Sequence, residues 1–201
     1  MSTISQNKSI SRHEAVEEHL AALAEAAGVA RHAAPSISAW AEQLAGVFTR
    51  KGRLLACGNG GSASEAQHLT GELVGRFRCE RQPLSAIALG ADTSATTAIL
   101  NDYGVEDVFA RQVRAHGRPG DVLVAFSTSG TSANVVAAAK AALEIGVTVW
   151  ALTGPAPNPL AALSDSAIPV DAATVATVQE IHLAVVHALC IALDDAFGVP
   201  T

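Results

Sequence analysis

A chain of 201 residues suits one domain of ordinary size. Hydrophobic residues at 49% against 16% charged exclude a disordered chain, and 4% aromatic leaves a core of Ala, Val, Leu and Ile. Nineteen acids against thirteen bases give a formal charge of −6, which argues against a general binder of nucleic-acid backbone while leaving a local basic patch open.

Residues 1–10 are polar and expected to fray, and they contain no apolar run of the kind a secretory signal needs. Over 11–27, Ala15, Leu20, Leu23 and Ala27 recur at helical spacing. Ser11 with Glu14 forms a capping box, and Gly28 is expected to stop the helix. A second amphipathic helix over 34–50 carries Ile37, Trp40, Leu44 and Val47 on one side.

From Arg53 the pattern changes to short apolar runs alternating with helices. Strands are expected over 54–57, 83–89, 121–126, 147–152 and 167–170, the last at a sheet edge because it contains Pro169. Helices are expected over 63–76, 93–100, 105–116, 133–145 and 178–196, and a Pro-rich loop follows Gly154. The uncharged run 122–139 is interrupted by hydroxyls and a glycine and does not read as a membrane span. Cys57, Cys79 and Cys190 form no close pair and no CxxC, so neither a disulfide framework nor a structural zinc site is implied. A cytoplasmic protein is expected. Apolar strands separated by helices predict an α/β fold with a parallel sheet covered on both faces. The division expected is a helical extension over residues 1–50 and an α/β unit over 51–201, with no linker between them.

Two Gly/Ser turns fall where strands end and helices begin, the place where open α/β sheets bind ligands. In Gly58-Asn59-Gly60-Gly61-Ser62-Ala63 the glycines let backbone N–H groups approach an anion at a helix N-terminus. The same turn also fits a loose dinucleotide fingerprint, for which Glu80 and Asp92 are only approximate ribose partners. Ser127-Thr128-Ser129-Gly130-Thr131-Ser132 is more discriminating, since five hydroxyls around one glycine suit a small dianion. Neither turn carries a P-loop lysine, which favours a phosphorylated metabolite over nucleoside triphosphate hydrolysis.

His68 and Glu72, four apart on the helix leaving the first turn, can share a metal or a proton, although on spacing alone a solvated face is the plainer reading. On the apolar C-terminal helix, Gln179 lies about 80° from His187 and, on its other side, about 60° from His182. Helical geometry does not choose between the two histidines, and buried histidines bonded to carbonyls remain the simpler explanation.

Taken in order, Cys57-Gly58-Asn59-Gly60-Gly61-Ser62, His68-x-x-x-Glu72-Leu73-x-Gly75-Arg76, Asn101-Asp102-Tyr103-Gly104, Gly120-Asp121-Val122-Leu123, Ser127-Thr128-Ser129-Gly130, Leu152-Thr153-Gly154 and Gln179-Glu180-x-His182 resemble the phosphoheptose isomerases of the sugar isomerase (SIS) domain family. The resemblance implies a three-layer α/β/α sandwich on a mostly parallel, flavodoxin-like five-stranded sheet with added N-terminal helices. It implies an aldose–ketose isomerase acting on sedoheptulose 7-phosphate through an enediol. By the same resemblance, the phosphate is bound by Ser62, Ser127, Thr128, Ser129 and Ser132 with Gly60 and Gly61, and the sugar lies near Asn59, Arg76, Asn101, Asp102 and Gln179. Zinc or another divalent cation, one per subunit, is held by His68, Glu72, Gln179 and His187. Glu72 and His187 form the acid/base pair, which leaves His182 structural. Partners are the phosphorylated heptose and further copies of the chain in a homotetramer, with neither nucleic acid nor membrane.

Two departures stand out. The acid and base usual shortly before Gln-Glu are replaced by Ala176 and Thr177, and Ala63 stands where relatives often carry a larger polar group. Non-catalytic branches of the family, one binding the replication initiator DnaA and one sensing sugar phosphates, offer the alternative. Glu72 and His187, at positions where the DnaA-binding branch departs, are both present here and favour the enzyme.

Overall fold

The computed structural model describes residues 11–200, so the fraying expected of residues 1–10 lies outside it. Helix α1 (Arg12–Ala30) starts at the expected capping box. Glu14 accepts from the Ser11 backbone N–H at 2.7 Å and its own N–H donates to the Ser11 hydroxyl at 3.2 Å. These bonds, the backbone one foremost, hold the Glu14 carboxyl below its ordinary range. Gly28 does not stop the helix. A glycine ends a helix by taking positive φ, which Gly28 does not do, and the chain runs on through a 3-10 turn (Arg31–Ala33) into α2 (Ala34–Thr49).

The remaining elements alternate as expected: β1 (Leu54–Cys57), α3 (Gly61–Val74), β2 (Ala86–Ala88), α4 (Thr93–Tyr103), α5 (Asp107–His116), β3 (Val122–Ser127), α6 (Ala133–Glu144), β4 (Thr148–Thr153), α7 (Pro159–Leu163), β5 (Ser166–Pro169) and α8 (Val175–Ala196). Helix α7 occupies what reads in the sequence as a Pro-rich loop. Its start is a capping asparagine followed by proline: Asn158 Oδ1 accepts from Ala161 N at 2.9 Å, and Pro159 has no N–H to leave unpaired.

All five strands pair in parallel in the order β2-β1-β3-β4-β5, which leaves Pro169 on an edge strand. Side-chain alternation sorts the core into two halves. Leu54, Ala56, Val124, Phe126 and Leu152 face α1, α2, α3 and α8, where Trp40 stacks on Trp150 with ring centroids 4.7 Å apart. Leu55, Leu123, Ala125, Val149 and Ala151 face α5, α6 and α7. Helix α8 has the length and hydropathy of a membrane span, yet it docks against α1, α2 and α3 with His182 fully buried. The strand order reverses direction between β1 and β3. Those two strands feed α3 and α6, which leave on opposite faces and open a crevice at their starts.

Candidate active site

Both Gly/Ser turns lie at that crevice. Gly60, with φ +55°, starts α3 in a conformation that favours glycine, and a Cβ at Gly58 would press on the backbone of Ser62 2.6 Å away. Ser62 is thereby buried in the first turn of α3. In the second turn the hydroxyls form a chain. Ser127 Oγ lies 2.9 Å from Ser132 Oγ and 3.4 Å from Ser129 Oγ, while Ser129 Oγ accepts from the Thr131 N–H and hydroxyl at 3.2 and 3.0 Å. Serine is among the best helix caps, yet Ser132 directs its hydroxyl to Ser127, and neither α3 nor α6 is capped by a side chain. Among the described residues the starts of both helices therefore face the crevice without a side-chain capping bond, an arrangement suited to an anion. Thr128 is half-buried with its carbonyl against Gly154, where any Cβ would collide with it.

Asn59 is tied across the crevice. Its carboxamide donates to Asn134 Oδ1 at 2.8 Å and accepts from Asn134 Nδ2 at 2.9 Å, a reciprocal pair joining the first turn to α6. Asn134 is a residue the sequence reading missed. Its signal was a polar amide two positions into an otherwise Ala/Val-rich helix.

The other half of the site is the seam between α3 and α8, which run in the same direction with polar residues facing in register. At the top, the Gln179 carboxamide lies against the Cα of Gly61, within 2.7 Å of where a Cβ would stand. In the middle, buried His182 meets buried Glu65. Its Nε2 bonds the Thr153 carbonyl at 3.1 Å, while Nδ1 stands 3.6 Å from Glu65 Oε2, beyond hydrogen-bond reach, and both those atoms lack a partner among the described residues. Glu65 was also missed; a helical wheel would have found it, because seven positions put it within about 20° of Glu72.

At the bottom, His68 Nε2 is 2.9 Å from His187 Nε2 and 3.2 Å from Glu72 Oε1, and the ligating atoms of all three residues fall within 4.8 Å of one another. Two imidazole nitrogens facing each other can share only one proton. A cation taking nitrogen and oxygen donors at about 2.0–2.2 Å fits the same spacing. Two imidazoles with a carboxylate suit a divalent transition metal, and one face of the cluster stays accessible, with the His68 side chain 39% exposed. The fold thus brings His187, and not His182, to His68 and Glu72. Phe77 flanks the site, its ring 5.7 Å from that of His187.

Among the described residues, Arg76, Asn101 and Asp102 form no hydrogen bond to these groups. They are exposed, the Arg76 guanidinium donates to the Arg78 carbonyl at 2.7 Å, and Asn101 Nδ2 donates to Asp102 Oδ1 at 2.7 Å. Thr177, one of the two departures, is buried with its N–H donating to Thr174 Oγ1 at the start of α8; Ala176 is exposed.

A SIS domain family model matches residues 15–154. A phosphoheptose isomerase from Streptomyces coelicolor is 61% identical over 184 residues, 92% of this chain and 80% of that protein. Among solved structures, the phosphoheptose isomerase of Neisseria gonorrhoeae superposes with a TM-score of 0.85 at 43% identity, and that of Francisella tularensis with 0.88 at 34%. Each alignment covers 92% of this chain and 100% of the other.

Proposed function

The chain belongs to the SIS domain family, and from that premise we infer that it works as a phosphoheptose isomerase, an aldose–ketose isomerase acting on sedoheptulose 7-phosphate for heptose biosynthesis. The observation that carries the chemistry is the convergence of His68, Glu72 and His187 on the seam whose α3 begins at the crevice.

Ser62, Ser127, Thr128, Ser129 and Ser132 take the terminal phosphate, with Gly60 and Gly61 admitting it close to the backbone and the α3 and α6 dipoles opposing its charge. Holding the phosphate there directs the carbonyl end of the sugar toward the seam. Glu72 carries the proton between C1 and C2. Its Oε1 faces His68, leaving Oε2 for transfer. His187 donates a proton to the C2 carbonyl oxygen as the enediol forms and takes one back from the C1 hydroxyl as the aldehyde forms. A divalent cation held by His68, Glu72 and His187, zinc in our reading, would polarise the carbonyl and offset charge developing on its oxygen; Gln179, whose carboxamide lies against Gly61 at the other end of the seam, would complete the set by turning its side chain toward the cluster. Asn59 contacts the sugar from the crevice wall.

Arg76, Asn101 and Asp102 reach the sugar from the exposed surface. That role suits a homotetramer with sites at subunit junctions, and the apolar Leu100, Tyr103 and Val105 beside them are 47–58% exposed. The helices over residues 1–50 serve as an extension to the 51–201 unit. A cytoplasmic location accords with three free thiols among the described residues.

Isomerisation of sedoheptulose 7-phosphate by the purified protein and by Glu72→Gln tests the assignment. Turnover by the unsubstituted protein should fall by about 10²–10⁴ in kcat in the variant, with KM changed little. Turnover surviving in the variant would remove Glu72 as the base, and binding without turnover in the unsubstituted protein would favour a sugar-phosphate sensor.

A further inference from the structure

Arg81 lies outside both turns and the His/Glu cluster, in the connection from α3 to β2, and its side chain is only 4% exposed. Every nitrogen of its guanidinium is engaged. Nε donates to Asp194 Oδ1 at 2.9 Å, Nη1 to the carbonyls of Leu73 at 2.9 Å and Gln82 at 3.2 Å, and Nη2 to the carbonyl of Glu72 at 2.7 Å. Asp194, its carboxylate partner, is 5% exposed on the last turns of α8. A buried ion pair of this kind is often no more stabilising than apolar side chains of the same volume, so stability alone does not account for it.

Its placement does. The carbonyls of Glu72 and Leu73 end α3; that of Leu73 also accepts from the Leu84 N–H at 2.9 Å, whereas that of Glu72, the residue that carries the proton in our reading, is met by Arg81. Asp194 follows His187 by seven positions, two turns along nearly the same stripe of α8. Cys190 sits between them on that helix. Its buried thiol is pushed up to about 12, chiefly by burial, with Glu72 and Asp194 raising it further and Arg81 opposing them. The hydrogen bonds themselves join the Glu72 carbonyl and Asp194 through Arg81. Only a planar guanidinium can serve four acceptors spread over three segments; an ammonium offers its donors from a single atom.

We propose that Arg81 is a positioning residue: by bonding the Glu72 carbonyl and Asp194 together it sets the spacing of α3 and α8, and through that spacing the affinity of the His68–Glu72–His187 cluster for a divalent cation. The proposal rests on reading that cluster as a cation site. It is tested on metal-free protein by titration with Co2+, followed by visible absorption, and separately with inorganic phosphate.

In R81M/D194L, which replaces the pair with apolar side chains, Co2+ should bind ~10–100-fold more weakly while phosphate affinity stays within about twofold. Unchanged Co2+ affinity, or a parallel loss of both affinities, overturns the proposal. Should the double variant not fold, R81K carries the test with the same expected and overturning readings. Failure of both to fold makes the pair a folding requirement and also overturns it. An unsubstituted protein that binds no Co2+ would bring down the cation-site reading and this proposal with it, whereas tight binding by parent and variants alike would bring down the clamp alone.

Discussion

The two halves of the site are built in opposite ways. The hydroxyl turn at the end of β3 is local: Ser127, Ser129, Thr131 and Ser132 lie within six residues and bond one another. The seam is remote: His68 and His187 are 119 residues apart and meet only because α3 and α8 pack side by side on one face of the sheet. A local cradle is set by backbone conformation and its own hydrogen bonds, so it tolerates small shifts elsewhere. A seam is set by the spacing of two helices, so its chemistry depends on everything that fixes that spacing. Binding should therefore belong mostly to the turn, and turnover and cation affinity to the seam.

The strongest way to break this contrast is to substitute one residue in each half. His187→Gln removes an imidazole from the seam without adding volume to it. We expect kcat to fall by about 10²–10⁴ and Co2+ binding to weaken sharply, with inorganic phosphate still bound. Ser129→Ala removes an exposed hydroxyl from the turn. A hydrogen bond to a charged group contributes about 1.5–3 kcal/mol, so KM for sugar phosphate should rise about tenfold or more while kcat stays within a few-fold. Steady-state kinetics on the two variants separates the halves. If Ser129→Ala lowers kcat as much as His187→Gln does, the division of labour is wrong.

The same contrast explains what could be read without a structure. The turns were legible because their chemistry is contiguous: glycines at a strand end and five clustered hydroxyls report their own conformation and purpose. The alternation of parallel strands and helices was legible from the apolar runs. The seam was only half legible. His68 and Glu72 share one helix face by spacing, but their partner on α8 is chosen by how that helix is rotated against α3, and α8 is too uniformly apolar to reveal its own orientation. Glu65, Asn134 and Arg81 escaped for a related reason. Each is a polar residue that resembles solvent-facing surface until tertiary packing buries its side chain. Gly28 misled because glycine permits a helix stop without compelling one.

Gly61 is where the halves touch, and it sharpens the comparison at smaller amplitude. A methyl group there would stand 2.5–2.7 Å from the Gln179 carboxamide, so Gly61→Ala must displace Gln179 from the top of the seam. Alanine otherwise suits a helix better than glycine. The expected result is a melting temperature at or above that of the parent, together with a several-fold loss of Co2+ affinity measured on the metal-free protein. An unchanged affinity would take Gln179 out of the ligand set and leave the other three donors to hold the cation.

The smallest effects should come from two buried thiols, one in each half. Cys57 closes β1 just before the first turn, and burial pushes it up to about 12; Cys190 lies beneath the seam and is raised to about 12 by burial, then by Glu72 and Asp194. At pH 8 neither is an effective nucleophile in the folded protein, so alkylation must wait for local opening, whereas the half-buried Cys79 is free to react first. A thiol whose folded pKa is raised supports stability fully below its unfolded value, near 9.0, and loses that support as pH climbs toward 12. The pH-induced loss of melting temperature between 8 and 10 should accordingly be shallower in Cys57→Ala than in the parent. Iodoacetamide labelling followed by peptide mass spectrometry then tells the halves apart. Adding Co2+ should slow labelling of Cys190, because a cation bridging α3 and α8 resists their separation, and should leave Cys57 unchanged. Equal protection of both thiols would mean that strand and seam open as one unit, and the independence of cradle and seam would be lost.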